Sequence, residues 1–249
     1  MKAAQAPIAN TIPFSWVDGP GNRFVIFTQG CNFNCLGCHN PQTIPLHTPR
    51  SPERTVEELL CEIREAMPFI TGVTVSGGEA TMHTDFIHEL FTALHETPEF
   101  ETLTRFIDSN GNTTREQWEK LENITDGVML DLKALDDEKH RFLTGNPNHL
   151  VLESIKYLHK KDLLNEVRLL LIPGQNDSDE DLALTAQWLM AVDPEIKVRI
   201  NAFKSHGVRA SARDWPDAKP QDVFRYRTIL AANGVTNIVT TSVTTVPDA

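Results

Sequence analysis

Three cysteines, Cys31, Cys35 and Cys38, stand within eight residues of one another in a C-x₃-C-x₂-C pattern. Three thiolates on one tight loop can each bind one iron of a cubane iron–sulfur cluster, which leaves the fourth iron without a protein ligand. Such an open iron can bind a reactant, whereas a cluster that only transfers electrons normally has four protein ligands. The spacing therefore predicts a [4Fe–4S] cluster with one iron available for chemistry.

Two other uses of this loop are compatible with its spacing. Structural zinc could be bound by the three cysteines together with His39, although four adjacent ligands lack the usual two-knuckle spacing. Three buried free thiols are the other alternative, because cysteine packs as a small hydrophobic residue. The fourth cysteine, Cys61, lies in a segment with apolar helical periodicity, and we expect its thiol in the core.

Further polar or glycine-rich groups follow the predicted strands. Sites in parallel α/β folds form at the carboxyl ends of strands, so we expect these groups to meet at one edge. Convergence of several such loops is what a small-molecule site requires. The groups are Ser76-Gly77-Gly78-Glu79, Asp108-Ser109-Asn110-Gly111, Asp131-Leu132-Lys133 and Pro173-Gly174.

Strand-like and helix-like segments alternate along the chain. Continuous apolar runs such as Leu169–Ile172 are typical of strands buried on both faces. The alternation predicts an α/β fold with a parallel sheet, open or rolled into a barrel, in one domain over residues 1–249. Strands are predicted at Arg23–Thr28, Val73–Ser76, Thr104–Asp108, Val128–Leu132, Glu166–Ile172, Lys197–Ala202 and Asn237–Thr241, and helices at Thr55–Met67, Asp85–Glu96, Thr114–Leu121, Leu150–Lys161, Ser178–Ala191 and Pro220–Asn233.

Composition narrows the classes of partner and location. A formal net charge of −11 argues against nucleic acid, because there is no basic surplus to neutralise phosphates. No apolar run approaches the ~20 residues that span a bilayer, and no secretory segment is visible, so we expect a cytoplasmic protein without membrane contact. Seven histidines show no ligand spacing and are expected at the surface: His47, His83, His88, His95, His140, His149 and His159.

The cysteine loop at the end of the first predicted strand resembles the radical S-adenosylmethionine (SAM) superfamily. The likeness covers nearly the whole chain and is closest to the glycyl radical enzyme activating enzymes, the group that contains pyruvate formate-lyase activase. Its motifs are Val17–Gly21, Cys38–Pro41, Ser76–Glu79, Asp108–Gly111, Met129–Lys133 and Ile172–Gly174, and details at Ser76–Thr81, Leu132–Ala134, Ile172–Gln175 and Asn201–Phe203 are similar to the YjjW-type activases.

The resemblance implies a partial, open (β/α)₆ barrel and a radical SAM oxidoreductase that works anaerobically as an activase. The reduced [4Fe–4S] cluster, one per chain, would cleave SAM to methionine and a 5′-deoxyadenosyl radical. That radical would abstract hydrogen from a glycine of a partner glycyl radical enzyme. A flavodoxin or ferredoxin would supply the electron.

The resemblance also implies roles for single residues. Asp18 and Gly19 would contact the glycine-bearing segment of the partner. Arg168 would contact SAM, but an unpaired charge in an apolar strand is costly, so a buried structural ion pair is the alternative. The residues predicted to hold SAM are Gly77, Gly78, Glu79, Asp108, Asn110, Asp131, Lys133, Arg168, His39 and Asn40, and those around a possible monovalent cation are Asp108, Ser109, Met129 and Asp131.

Three features depart from the family pattern. Gly37 stands where many superfamily members have an aromatic residue against the adenine, so neighbouring loops and backbone would hold that base. Lys204 stands where these activases commonly have a histidine, with His206 close by. No cysteine lies between Cys38 and Cys61, so the inserted ferredoxin-like segment of many YjjW-type relatives is not expected.

Two alternatives to the activase remain at this point. One is a radical SAM enzyme that acts on a small molecule, similar to the carboxy-deazaguanine synthases, against which the Asp18–Gly21 motif argues. The other is a zinc-binding scaffold without catalysis.

Overall fold

The computed structural model describes residues 4–240, which form two compact units. Within those residues, the first unit comprises 4–34, 40–130 and 150–165, and the second comprises 35–39, 131–149 and 166–240. The strands are β1 (Gln5–Ser15), β2 (Arg23–Thr28), β3 (Glu53–Thr55), β4 (Gly72–Gly77), β5 (Thr104–Ser109), β6 (Gly127–Asp131), β7 (Leu164–Leu171), β8 (Val198–Ala202) and β9 (Ile238–Thr240). The α-helices are α1 (Val56–Ala66), α2 (Thr84–Glu96), α3 (Arg115–Leu121), α4 (Asp137–Thr144), α5 (His149–Lys160), α6 (Asp179–Val192) and α7 (Pro220–Ala232).

A sheet in the order β3-β1-β2-β4-β5-β6 organises the first unit. The pairs β2–β4, β4–β5 and β5–β6 are parallel, whereas β1 is antiparallel to both β2 and β3. The register places Thr28 beside Gly77 and Asp108 beside Met129. The carboxyl ends of β2, β4 and β5 therefore lie side by side, as the predicted site requires.

Helix α1 shows how the sequence sets the burial of this unit. Thr55 and Glu58 form a reciprocal capping box at its start, and the helix buries Leu59 and Ile63 on one stripe. Cys61 is two residues from each of these, about 200° around a helix of 3.6 residues per turn, and it is exposed. The expected core position of Cys61 is therefore wrong.

The second unit contains the parallel strands β7, β8 and β9 with α4, α6 and α7. Ser178 caps α6 by accepting a hydrogen bond from the Asp181 amide. His140 on α4 is fully buried, with Nδ1 2.7 Å from the carbonyl oxygen of Asn146, so its expected surface position is wrong. In the first unit His83 is half-buried and also contacts a backbone carbonyl, that of Gln29 at 2.8 Å.

All seven predicted strands and all six predicted helices are present, with ends shifted by at most two residues; Thr241, the last predicted strand residue, lies outside the described residues. Three elements were not predicted: β1, β3 and α4. Strand β1 contains Pro7 and Pro13, which disfavour sheet interiors. Helix α4 has eight residues and a polar composition, so its apolar periodicity is weak. Within residues 4–240, no helix is both long and apolar enough to span a bilayer.

Candidate active site

The end of β4 packs directly against the chain that leads into Cys31. The Gly78 amide donates to the Thr28 carbonyl at 3.0 Å, and the Glu79 amide donates to the Gly30 carbonyl at 2.8 Å. A Cβ on Gly78 would lie 2.2 Å from the Gly30 oxygen, so no other residue fits without moving the backbone. Here the glycine permits close approach to another part of the chain and thereby holds the Glu79 turn on the cysteine loop.

Glu79 is buried and accepts hydrogen bonds from several elements. Its Oε1 accepts from the amide and hydroxyl of Thr81 at 2.9 and 2.7 Å and from the Ser109 hydroxyl at 2.7 Å. Its Oε2 accepts from the Asn110 amide at 2.7 Å. Burial raises the pKa of Glu79, while these hydrogen bonds favour the carboxylate and oppose that rise. Glu79 thus joins the carboxyl ends of β4 and β5.

Asn110 connects this carboxylate to the first cysteine. Its Nδ2 donates to Asn32 Oδ1 at 2.8 Å and lies 3.8 Å from Cys31 Sγ. Asn32 in turn donates to the Asn112 carbonyl at 2.8 Å. Sequence reasoning had not selected Asn32, although its place between two predicted cluster ligands could have indicated it.

The residues predicted around a cation are held in different ways. Asp108 accepts a hydrogen bond from Ser76 at 3.0 Å and pairs in register with buried Met129 on β6. The Ser109 hydroxyl donates to Glu79. Asp131 belongs to the second unit. The cation site remains a prediction, with Asp108 and Met129 as the two neighbours that β5 and β6 bring together.

The second unit places a lysine beside the other two cysteines. Lys133 Nζ lies 2.7 Å from Asp131 Oδ2. Burial alone would lower the pKa of Lys133, but Asp131 and the thiols of Cys35 and Cys38 raise it. Burial raises the pKa of the Cys35 thiol to about 11, and Lys133 opposes that rise. The Asp131–Lys133 salt bridge therefore lies next to two predicted iron ligands.

Arg168 forms the buried ion pair that its apolar strand required. Its Nε lies 2.8 Å from Glu166 Oε1, and the same oxygen accepts from Arg199 Nε at 2.7 Å. Lys197 Nζ lies 3.0 Å from the other oxygen. Although burial opposes ionisation, Arg199 and Arg168 lower the pKa of Glu166 to about 2. Arg168 therefore has a structural role, and its SAM contact remains a prediction.

Several aromatic side chains pack beside the end of the cysteine loop in the second unit. His39 Nε2 lies 2.8 Å from the Lys204 carbonyl, and its ring centroid is 5.7 Å from that of Phe203. A Cβ on Gly37 would lie 3.2 Å from the Phe203 ring and 3.4 Å from Trp215, so these rings fill the space beside Gly37. Sequence reasoning missed Trp215, which is far from Gly37 in sequence.

The remaining predicted residues lie in turns. In the first unit, the Asn40 carbonyl accepts hydrogen bonds from the amide and hydroxyl of Thr43 and begins a short 3₁₀ turn. In the second unit, Lys204 Nζ lies 3.5 Å from Asp217 Oδ2. Asp18 accepts a hydrogen bond from the Ser15 hydroxyl, and the carbonyl of Asp18 accepts from Thr74 at 2.8 Å.

The donor set suits an iron–sulfur cluster. Thiolates are the ligands that such clusters take, and the cation of Lys133 favours thiolate charge on Cys35 and Cys38. Within residues 4–240, no three His, Cys, Asp or Glu side chains are already arranged to hold a metal ion. The assignment of Cys31, Cys35 and Cys38 therefore depends on their spacing and on the relatives of the chain.

Comparison with known proteins gives the class and the family. Residues 25–186 match the radical SAM superfamily. The chain is 37% identical over 205 residues to the pyruvate formate-lyase-activating enzyme of Streptococcus mutans (80% of this chain, 78% of the relative) and 36% identical over 198 residues to that of Staphylococcus aureus strain USA300 (77% and 78%). The chain belongs to the radical SAM superfamily, the class that its sheet and cysteine motif define. Within that class its relatives are glycyl radical enzyme activating enzymes.

Solved structures confirm the fold class, an α/β fold of the partial barrel type. A domain of the pyruvate-formate lyase-activating enzyme from Bacteroides vulgatus aligns with a TM-score of 0.57 at 21% identity, covering 69% of this chain and 99% of that one. A radical SAM methyltransferase from Sphaerobacter thermophilus aligns with a TM-score of 0.67 at 17% identity, covering 88% and 66%. Since proteins with different names share the fold, the fold alone does not decide the substrate.

Family membership settles two questions that spacing left open. The chain is an enzyme that uses a [4Fe–4S] cluster and SAM, so the zinc scaffold without catalysis is excluded. The finer likeness to YjjW-type activases remains a prediction, as do the single domain and the roles of individual SAM residues.

Proposed function

We propose that this chain is a glycyl radical enzyme activase whose substrate is a protein of the pyruvate formate-lyase type. The observation that carries the proposal is the network from Cys31 through Asn110 to Glu79. It lies at the adjoining carboxyl ends of parallel strands, where α/β sites form. The reaction class comes from the relatives, which are named for activating pyruvate formate-lyase.

Bound cluster and SAM supply the chemistry: one electron from an external donor and one hydrogen atom from a glycine Cα convert SAM to methionine and 5′-deoxyadenosine and leave a radical on that glycine. The chain's own residues bind and orient these groups. Cys31, Cys35 and Cys38 hold three irons. Glu79 would accept a hydrogen bond from the SAM amino group, and Lys133 would contribute to SAM binding.

Further assignments follow from the same family relationship. Gly77, Gly78, Asp108, Asn110, Asp131 and Arg168 would contribute to SAM binding, and His39 and Asn40 would contribute near the adenine. A monovalent cation binds near Asp108 and Met129. Asp18 and Gly19 meet the partner's glycine-bearing segment. A flavodoxin or ferredoxin donates the electron, and the protein works in the cytoplasm.

Anaerobic reconstitution with iron and sulfide tests this function. The protein receives dithionite, SAM and purified pyruvate formate-lyase, and the assay quantifies 5′-deoxyadenosine and the glycyl radical by electron paramagnetic resonance. We expect both products from the wild type and neither from Cys31→Ala, because the cluster then loses a ligand. Cys61→Ala is the matched control, since that thiol is exposed on α1.

The outcomes separate the possible failures. Loss of product in Cys31→Ala with full activity in Cys61→Ala supports both the ligand assignment and the activase. SAM cleavage without a glycyl radical on the partner would retain the radical SAM class and reject this substrate. Bound zinc in place of iron would reject the cluster.

A further inference from the structure

A fully buried arginine lies at the amino end of β2, beneath the turn that precedes it. Arg23 Nε donates to Thr74 Oγ1 at 3.1 Å, Nη1 to the Pro20 carbonyl at 3.3 Å and Nη2 to the Val73 carbonyl at 2.6 Å. Its guanidinium also donates to the side chain and backbone of Thr104 and lies 4.6 Å from the Phe106 ring centroid. Burial lowers the pKa of Arg23 to about 10, so it is still charged at neutral pH.

Thr74 links Arg23 to the Asp18–Gly21 turn by hydrogen bonds. Its hydroxyl accepts from Arg23 and donates to the Asp18 carbonyl at 2.8 Å, and its side chain is fully buried in β4. A Cβ on Gly19 would lie 3.4 Å from both Arg23 Nε and Thr74 Oγ1. Arg23 and Thr74 therefore contact Asp18 and Gly19 from the buried side of the turn. Arg23 also donates to the carbonyl of the next residue, Pro20.

The turn needs such support because its own sequence is flexible. Gly19 and Gly21 have positive φ angles of 136° and 75°, and glycine loses the most conformational freedom when it is fixed. The turn is accessible to a macromolecule on its solvent side, since Pro20 and Gly21 are exposed and the preceding Trp16 and Val17 are 81% and 68% exposed. A turn fixed from inside and accessible from outside is preorganised for binding, which lowers the entropic cost of association.

We propose that Arg23 and Thr74 are positioning residues that hold the Asp18–Gly21 turn in the conformation that meets the partner protein's glycine-bearing segment. This inference rests on the proposed function, because it takes Asp18 and Gly19 as partner contacts. Neither side chain reaches the partner. Both act through the carbonyl oxygens of the turn.

Replacement of Thr74 tests the inference, because an Arg23 variant would leave buried oxygens without donors and could fail to fold. Thr74→Val keeps the shape and removes the hydroxyl, whereas Thr74→Ser restores it. Thr144→Val is the matched control: Thr144 is another buried threonine, whose hydroxyl donates to the His140 carbonyl at 2.8 Å. The assays are glycyl radical formation against pyruvate formate-lyase concentration and 5′-deoxyadenosine formation without partner.

We expect Thr74→Val to raise KM for pyruvate formate-lyase about fivefold, the effect of losing the one hydrogen bond from Thr74 to the turn, with kcat and partner-free SAM cleavage within about twofold of wild type. Thr74→Ser should return KM to within about twofold, and Thr144→Val should leave it unchanged. An unchanged KM in Thr74→Val, or a parallel loss of partner-free cleavage, would overturn the inference. If the wild type itself forms no glycyl radical, the proposed function is rejected, and the inference is rejected too because it depends on that function.

Discussion

A methyl group at Gly78 would lie 2.2 Å from the Gly30 carbonyl oxygen and 2.6 Å from that of Thr43, two backbone atoms that side-chain rotation cannot move. At Gly37 the nearest atom is instead a ring carbon of Phe203 at 3.2 Å. A ring edge can shift by a few tenths of an ångström at small cost, whereas displaced backbone disturbs the hydrogen bonds that hold the Glu79 turn.

We therefore predict that Gly78→Ala destabilises the protein by about 3 kcal/mol and Gly37→Ala by about 1 kcal/mol. Urea unfolding of both variants and the wild type gives these values. The iron content after reconstitution should follow the same order, because Gly78 packs on the chain that leads into Cys31. Equal effects of the two substitutions would contradict a steric origin at Gly78.

At the level of elements, the buried Glu166 of β7 forms an ion pair with β8. The register places Arg168 opposite Arg199, and two like charges directly across a sheet destabilise it unless a counter-charge is present. Glu166 contacts both arginines and Lys197. Sequence reasoning identified the charge problem at Arg168 and a buried ion pair as one solution, but it did not identify the second arginine, because Arg199 is distant in the chain.

Glu166 should make stability depend on pH in a definite window. Its pKa is about 2 in the folded protein and roughly 4.3 when unfolded. The stabilisation is therefore complete above about pH 4.5 and is lost as pH falls toward 2, a total on the order of 3 kcal/mol. The difference in unfolding free energy between wild type and Glu166→Gln should be constant from about pH 7 to 5 and shrink below about pH 4.5, by up to about 1.4 kcal/mol per pH unit.

Urea titrations across that range measure this difference, with the exposed Glu153 replaced by Gln as the control. The control should stay within about 0.5 kcal/mol of wild type throughout. A difference for Glu166→Gln that persists undiminished at pH 3 would show that the ion pairs do not hold the carboxylate charged.

The whole molecule shows which parts of a fold a single sequence can predict. The buried parallel strands were predictable because each is a short apolar run followed by an amphipathic helix. Strand β1 was not, since its prolines oppose a strand and its pairing with β2 and β3 decides the outcome. The site residues were predictable from motifs, but Asn32 and Trp215 enter through contacts with segments far away in the sequence.

The ratio of 5′-deoxyadenosine formed to partner sites added distinguishes a protein substrate of the whole molecule from a small-molecule substrate. A radical placed on a protein glycine stays there, so each partner site consumes one SAM and then stops. We predict that the 5′-deoxyadenosine formed above the partner-free rate and the glycyl radical appear in a ratio near one, and that this burst scales with the amount of pyruvate formate-lyase added. The measurement uses a catalytic amount of this enzyme and a limiting amount of pyruvate formate-lyase. Chromatography quantifies 5′-deoxyadenosine, and electron paramagnetic resonance quantifies the glycyl radical. Product that continues far beyond the number of partner sites, in proportion to an added small molecule, would instead establish the small-molecule alternative, because only a freely exchanging substrate sustains turnover.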